Sequence, residues 1–310
     1  MDFSQFNFVT LTATLMVAAT PILLAAIGEL VVEKSGVLNL GVEGMMIIGA
    51  ISGFIAAVET GSPFVGFVMA AIAAAILSSL FAFLTLYLLS NQYATGLSLT
   101  LFGLGLAALL GHSYTGIRPP SVPTLNVQWL TDIPILGPIL FSHNAVLYLA
   151  LILVFAVWYV LTKTRLGLII RAVGENHDAA HALGYKVTLI RFTAILFGGA
   201  CAGLGGAYLS LVRVPQWTEG MTSGAGWIAL AIVVFASWKP WRVVLGAYLF
   251  GGVTIIQLNL QTMGVGISVA YLSMLPYIIT IIVLVVMSAN KGRTNINAPG
   301  SLGKIFYISR

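Results

Sequence analysis

Two stretches of this 310-residue chain gather the side chains that can do chemistry. The first, KTRLGLIIRAVGENHDAAHALGYKVTLIR, runs from Lys163 to Arg191 and holds Lys163, Arg165, Arg171, Glu175, Asp178, Lys186 and Arg191. The second, GELVVEKSGVLNLGVEGMMIIGA (residues 28–50), places Glu29, Glu33, Lys34, Asn39 and Glu43 against the start of an apolar run. His177 and His181, four residues apart, can share one helix face. A metal site needs three or four ligands, however, Asp178 points elsewhere and no cysteine is near. A solvated face is therefore the expectation for this pair. Inside a bilayer a carboxylate costs about 2.5–3.5 kcal/mol on insertion scales. Glu43 lies between Gly41 and Gly44, where the backbone can be irregular, and irregular backbone at that depth must face protein or a water-filled cavity. Two readings stand side by side. Asn39, Gly41, Glu43 and Gly44 line a transport pathway, or Glu43 sits at the interface and satisfies helix N-terminal donors.

A third set consists of amides and hydroxyls within or at the mouths of apolar runs: Asn91, Gln92, Thr95, Ser98, Gln257, Asn259 and Gln261. Any one of them is explained as glue between helices. Together they suit a neutral polar substrate better than an ion, and Asn91, Gln92 and Gln257 join the candidate pathway residues. Other chemistry is missing from the sequence. No G-x-x-x-x-G-K-[ST] loop occurs, and Gly303-Lys304 is followed by Ile305. No H-E-x-x-H or Ser-His-Asp arrangement is visible either. The chain is expected to be no enzyme, to bind no cofactor or metal of its own and to bind no nucleic acid. The glycines of GGACAGLGGAY (residues 198–208) suit close helix packing rather than phosphate binding.

The elements that must hold these residues follow from composition. The chain is 59% hydrophobic and 7% charged, with a mean hydropathy of +1.02. Soluble domains are about 25% charged, so lipid is the solvent this chain is built for. Its apolar runs have helix length and lack barrel alternation. The expected fold is an all-α polytopic transmembrane bundle of about 8–10 spans, with broken or re-entrant segments allowed. Runs fall near 10–27, 41–58, 64–89, 94–111, 145–162, 189–211, 223–237, 243–261 and 272–288. Residues 28–44 and 215–226, Gly-rich and polar, are the places where a span can break. The run MDFSQFNFVTLT has no basic stretch, so residues 10–27 read as a span rather than a cleaved signal.

With residues 163–191 placed in the cytoplasm, the inner loops collect nearly all Lys and Arg, and the outer loops hold only Arg118 and Arg213. That bias puts the N-terminus outside and the C-terminus inside. Residues 1–290 then form one transmembrane domain, with a Pro-rich external loop at 112–144 carrying one short surface helix. Trp129 would sit at the interface there. Trp238 and Trp241, with Lys239 and Arg242, would anchor a cytoplasmic turn, and residues 291–310 would form a cytoplasmic tail near the membrane surface. The lone cysteine, Cys201, allows no internal disulfide. Within 163–191, Asn176 is a good N-cap, Asp178 suits a first turn and Gly184 a C′ position, so NHDAAHALG predicts a short self-capped helix. Ala179, Ala180 and Leu183 would give it an apolar knob for a soluble partner; an interfacial helix on anionic lipid is the plainer alternative.

These runs resemble a known family. EKSGVLNLGVEGMMIIGA is close to its ERSGVLNLGxEGMMxxGA, and SNQYATGLSLTLFGLGLAALLG looks like its NQxxxGLALNxxxxGL stretch. TRLGLIIRAVGENHDAAHALGYKV resembles its T.xGLxxRAVGENPxAAxxxGIxV loop, and GMTSGAGWIALAIVVFASWKP its MTxGRGFIALAAVIFGxWxP element. The family is that of permease subunits of ABC importers in the branched-chain amino acid and ribose superfamily. The likeness is strongest to the smaller permease of the basic-membrane-protein type, associated with nucleoside uptake. It implies a bacterial inner-membrane protein that works with an ABC ATPase holding ATP and Mg, a second, longer permease and an extracytoplasmic solute-binding protein. It also implies that Arg171, Ala172, Val173, Gly174, Glu175, Asn176, Asp178, Ala179, Ala180, Leu183 and Gly184 form the segment coupled to the ATPase. His177 stands where the family commonly has Pro, and Ala225 where it usually has Arg.

Overall fold

The computed structural model describes residues 8–125, 136–262, 268–289 and 298–307. The described residues carry twelve α-helices and no strand. In chain order they are α1 (Phe8–Lys34), α2 (Val42–Thr60), α3 (Pro63–Ala82), α4 (Gln92–Gly111), α5 (Leu136–Leu140), α6 (Ala145–Lys163), α7 (Arg165–Glu175), α8 (His177–Ala182), α9 (Val187–Tyr208), α10 (Ala225–Phe235), α11 (Pro240–Thr262) and α12 (Val269–Ala289). Seven are long and apolar enough to cross a membrane: α1 to α4, α6, α9 and α11, three of them lengthened by the short helical turns that follow. The chain is a multi-pass helical membrane protein.

α1 is apolar on nearly every side, as a helix surrounded by others must be. It packs against α9, α11, α10 and α6, while α2 packs against α3, α9 and α4. Glycines let the central helices touch backbone to backbone. A Cβ on Gly49 would meet Gly203 O at 2.5 Å, and one on Gly206 would overlap Met46 O. The outer face carries exposed Ile72, Ile76, Leu101, Leu109, Ile152, Phe155 and Leu245. In water such a surface would be a liability; against lipid tails it costs nothing.

Three places depart from the expectations. α1 does not stop near residue 27 but runs on to Lys34, because Glu29 and Glu33 are buried by neighbouring helices rather than held in a polar loop. The apolar run expected over 223–237 becomes an 11-residue helix, α10. At 1.5 Å per residue it is about 16 Å long and too short to cross alone. The irregular stretch 214–224 leads into it. Residues 298–307, for which no packing partner was expected, fold back onto the end of the bundle that carries Lys34. The loop over 112–144 contributes α5 and a bridge between Thr124 and Asn144, and Trp129 lies outside the described residues.

Candidate functional site at the junction of α1, α2 and the α7–α8 segment

The predicted helix NHDAAHALG forms as α8. Asn176 has extended backbone, and its side chain accepts from Asp178 N at 3.1 Å and Ala179 N at 3.0 Å, closing the first turn. Gly184 takes φ +90, a left-handed conformation that ends the helix without a Cβ clash. The knob is arranged differently from the expectation. Ala180 is buried and faces Val173, Val187 and Phe306. The exposed apolar groups are Ala179, Ala182, Leu183 and Tyr185. Leu183 is 77% exposed, a large apolar side chain presented outward. A groove of about 630 Å³ runs beside it, lined by His181, Gly184, Tyr185, Leu189, Phe306 and Tyr307 among others.

The expectation of a solvated histidine pair fails for His177, which is buried. Its ring and that of His181 both meet Phe306 edge-on, at 5.3 and 5.5 Å between centroids. Arg191 Nη2 lies 3.1 Å from His177 Nδ1. A guanidinium only donates, so Nδ1 accepts and the ring proton sits on Nε2, 3.6 Å from Asp178 Oδ1. Burial, and then the neighbouring Arg191 charge, push the His177 pKa below its usual value. Among the described residues no three His, Cys, Asp or Glu side chains cluster as metal ligands would.

Arg191 is fully buried, and its sequence neighbours gave little sign of it. Besides His177, it donates from Nε to Ser35 O at 3.1 Å and from Nη1 to Lys304 O at 3.2 Å. One side chain thus ties α8, the α1–α2 connection and the C-terminal segment together. The C-terminal segment adds its own bonds. Ser301 N donates to Gly174 O at 2.8 Å, and Gly303 N to Gly36 O at 3.2 Å. Ser301 Oγ accepts from His177 N and donates to Glu175 O, both at 3.3 Å. The approach is close because Gly36 and Gly174 have no Cβ. One on Gly36 would meet Arg191 Nη2 at 2.8 Å, and one on Gly174 would overlap Lys34 O. Of the candidate coupling residues, Gly174 and Val173 are therefore buried in this junction. Arg171, Glu175, Asn176, Asp178, Ala179, Leu183 and Gly184 are exposed, and Ala172 is half-buried.

The candidate pathway residues divide. Asn39, Gly41, Glu43, Gly44 and Gln92 come together where residues 35–41 run in along α4. Asn39 Oδ1 accepts from Gly41 N at 2.9 Å, and Gln92 Oε1 accepts from Leu38 N at 2.9 Å. Gly44 faces Leu99 and Thr100 of α4. Asn91 is an exposed N-cap for α4, accepting from Tyr93 N and Ala94 N. Gln257 is half-buried on α11, which packs against α1, α6, α10 and α12. Glu43 is 3% exposed and fully engaged. Oε1 accepts from Thr222 Oγ1 at 2.6 Å and Gly224 N at 2.9 Å, and Oε2 from Gly226 N at 2.7 Å. It sits in the first turn of α2 while capping the N-terminus of α10, so one carboxylate meets the positive ends of two helices. Gly226 cannot take a side chain, since its Cβ would lie 2.6 Å from Glu43 Cα.

Two further carboxylates hold the same region, and sequence reasoning gave them no role. Glu29 Oε1 accepts from Asn39 N at 3.2 Å, and Glu33 Oε2 accepts from the Trp238 indole N–H. Glu29 Oε2 and Glu33 Oε1 have no hydrogen-bond partner among the described residues. Their spacing, one helix turn apart on α1, is the signal that was available. Glu29, Glu33 and Glu43 between them fasten the connection after α1, the turn after α10 and the start of α10.

A helical membrane domain with interrupted elements meeting at buried polar groups, and a self-capped helix at one end, defines the class of multi-pass transporter permeases. Residues 11–284 match the family described as branched-chain amino acid transport system / permease component, and the chain belongs to that family. It is a transport component of an ABC system, not a catalytic enzyme. The family implies an ATPase and a binding protein as partners. Among its relatives is a putative glucose ABC transporter permease of Haloferax volcanii, 43% identical over 81% of this chain and 77% of its own. A nucleoside ABC transporter permease of Lactococcus lactis is 32% identical over 88% and 90%. A guanosine ABC transporter permease of Bacillus subtilis is 33% identical over 92% and 93%. No solved structure matches the chain.

Proposed function

We propose that the chain is the smaller permease of a heteromeric importer that carries nucleosides across a bacterial inner membrane. The observation that carries this reading is near full-length similarity to the nucleoside and guanosine permeases. The buried amides and the absence of any ion-binding cluster among the described residues suit a neutral polar solute. A second reading, a simple sugar, is favoured by the 43% identity to the glucose-named relative. A nucleoside contains a sugar, so the two readings share a hydroxyl-rich ring as the group to be recognised.

In this mechanism the end carrying Lys34, α8 and residues 298–307 faces the cytoplasm, with the N-terminus outside, as the distribution of Lys and Arg favours. The exposed Leu183 and the groove beside it dock the ATPase, which holds ATP and Mg. A second, longer permease completes the pathway, and an external binding protein supplies affinity. ATP-driven closure acts on α8, and the permease changes state only because its contacts differ between the inward and outward forms.

The test is uptake of labelled nucleosides and labelled glucose, each challenged with the other unlabelled, into proteoliposomes holding this chain and its partner subunits. Nucleoside uptake that needs an active ATPase supports the reading. ATP-dependent uptake of glucose alone would replace the nucleoside with the sugar. Uptake by this chain alone, abolished by an uncoupler, would make it a secondary transporter instead.

A further inference from the structure

A six-residue helix at the end of a bundle needs a route by which its displacement reaches the interior. The covalent links of α8 are poor levers. Asn176 is extended before it and Gly184 left-handed after it, so the helix axis breaks at both ends. The non-covalent ties are better ones. Arg191 holds α8 through His177 and holds Ser35 through its carbonyl. Ser301 sits between Gly174, Glu175 and His177, while Gly303 reaches Gly36. Phe306 closes the underside of α8 with Val173, Ala180 and Val187. Every tie runs to Ser35 or Gly36, or to groups already joined to them. From there the chain passes within a few residues to Asn39, held by Glu29, and to Glu43, which caps α10.

Resting on the reading of α8 as the ATPase-docking helix, we infer that Arg191 is a positioning residue that gears α8 to the α1–α2 connection, with residues 298–307 as the strap. α7, α8, Ser35–Gly36 and the strap then move as one body. Displacement of α8 reaches the N-termini of α2 and α10 together. Arg191 touches neither solute nor nucleotide; it fixes how far one movement follows another. Its three acceptors lie on three separate segments, a task for a forked guanidinium that a single ammonium cannot reproduce.

The experiment measures uptake and ATP hydrolysis in the same proteoliposomes containing the whole complex. Arg191→Lys should leave hydrolysis in place and lower solute carried per ATP by about tenfold, a coupling effect of ordinary size. Phe306→Ala, which leaves the buried guanidinium untouched, should lower the same ratio in the same direction and serves if the Arg191 variant does not assemble. A third arm joins the exposed positions Glu175→Cys and Lys304→Cys with a short thiol cross-linker and compares that double variant before and after cross-linking, with the native Cys201 buried out of reach. If the strap and α7 travel together, the cross-link leaves transport per ATP unchanged. Loss of transport on cross-linking, or an unchanged ratio in Arg191→Lys and Phe306→Ala, would overturn the gearing. Wild-type uptake indifferent to the ATPase would overturn the permease reading, and this inference with it.

Discussion

Glu43 has both oxygens committed to the start of α10, accepting two backbone N–H groups and one hydroxyl. Hydrogen bonds to a charged acceptor contribute about 1.5–3 kcal/mol each, and leaving buried donors unpaired costs a similar amount. Glu43→Ala should therefore destabilise the detergent-solubilised protein by about 3 kcal/mol or more. Glu43→Gln, which keeps an acceptor in place, should cost less. Thermal unfolding of the two variants side by side checks the order. If Glu43→Gln inserts normally and transports at an undiminished rate, the carboxylate serves the fold and not the solute. His177 makes a different prediction. Its pKa is held down from 6.5 in the folded chain, so the unfolded chain binds the proton more readily. The contribution of this contact is intact above about pH 6.5 and is lost as pH falls through the lower, folded value. The thermal midpoint of the wild type should drop with acidification more steeply than that of His177→Asn, and parallel pH profiles would count against the assigned tautomer.

Helices α2 and α9 approach so closely that glycine is required along their contact. Gly206→Ala would drive a methyl group into Met46 O, whereas a Cβ on Gly105 meets nothing within 4 Å. Gly206→Ala should yield aggregated or unstable protein and Gly105→Ala a monodisperse one, as size-exclusion chromatography in detergent will show. These helices were the legible part of the sequence. The runs read near 41–58, 94–111 and 145–162 emerge as Val42–Thr60, Gln92–Gly111 and Ala145–Lys163, because apolar length is a property of the local chain. The α8 caps were legible for the same reason: Asn176 and Gly184 act within a few residues of themselves. The junction was not. Arg191 binds groups 156 and 113 residues away, at Ser35 and Lys304, and nothing in its neighbours distinguishes it from a surface arginine. Glu43 likewise reaches residues around 180 positions on, so its sequence context left pathway and helix cap equally open. His177 misled because i, i+4 spacing reports the face of a helix and not what covers that face.

At the scale of the molecule, the alternation of spans puts Lys34, α8 and residues 298–307 at one end and the Glu59–Tyr114 contact at the other. If the basic end is cytoplasmic, Leu183→Cys should react with a membrane-impermeant maleimide only in inside-out vesicles. Thr60→Cys should react only from the opposite side. The reverse pattern would invert the assigned orientation. The order in which the junction is assembled has a consequence for biogenesis. Ser35 and Gly36 come early in the chain and Arg191 midway, whereas Ser301 and Phe306 follow every described helix. A nascent permease therefore has α8 only partly fastened until residues 298–307 are translated and complete its seat. Until then a partner that docks on α8 would meet a helix without its strap.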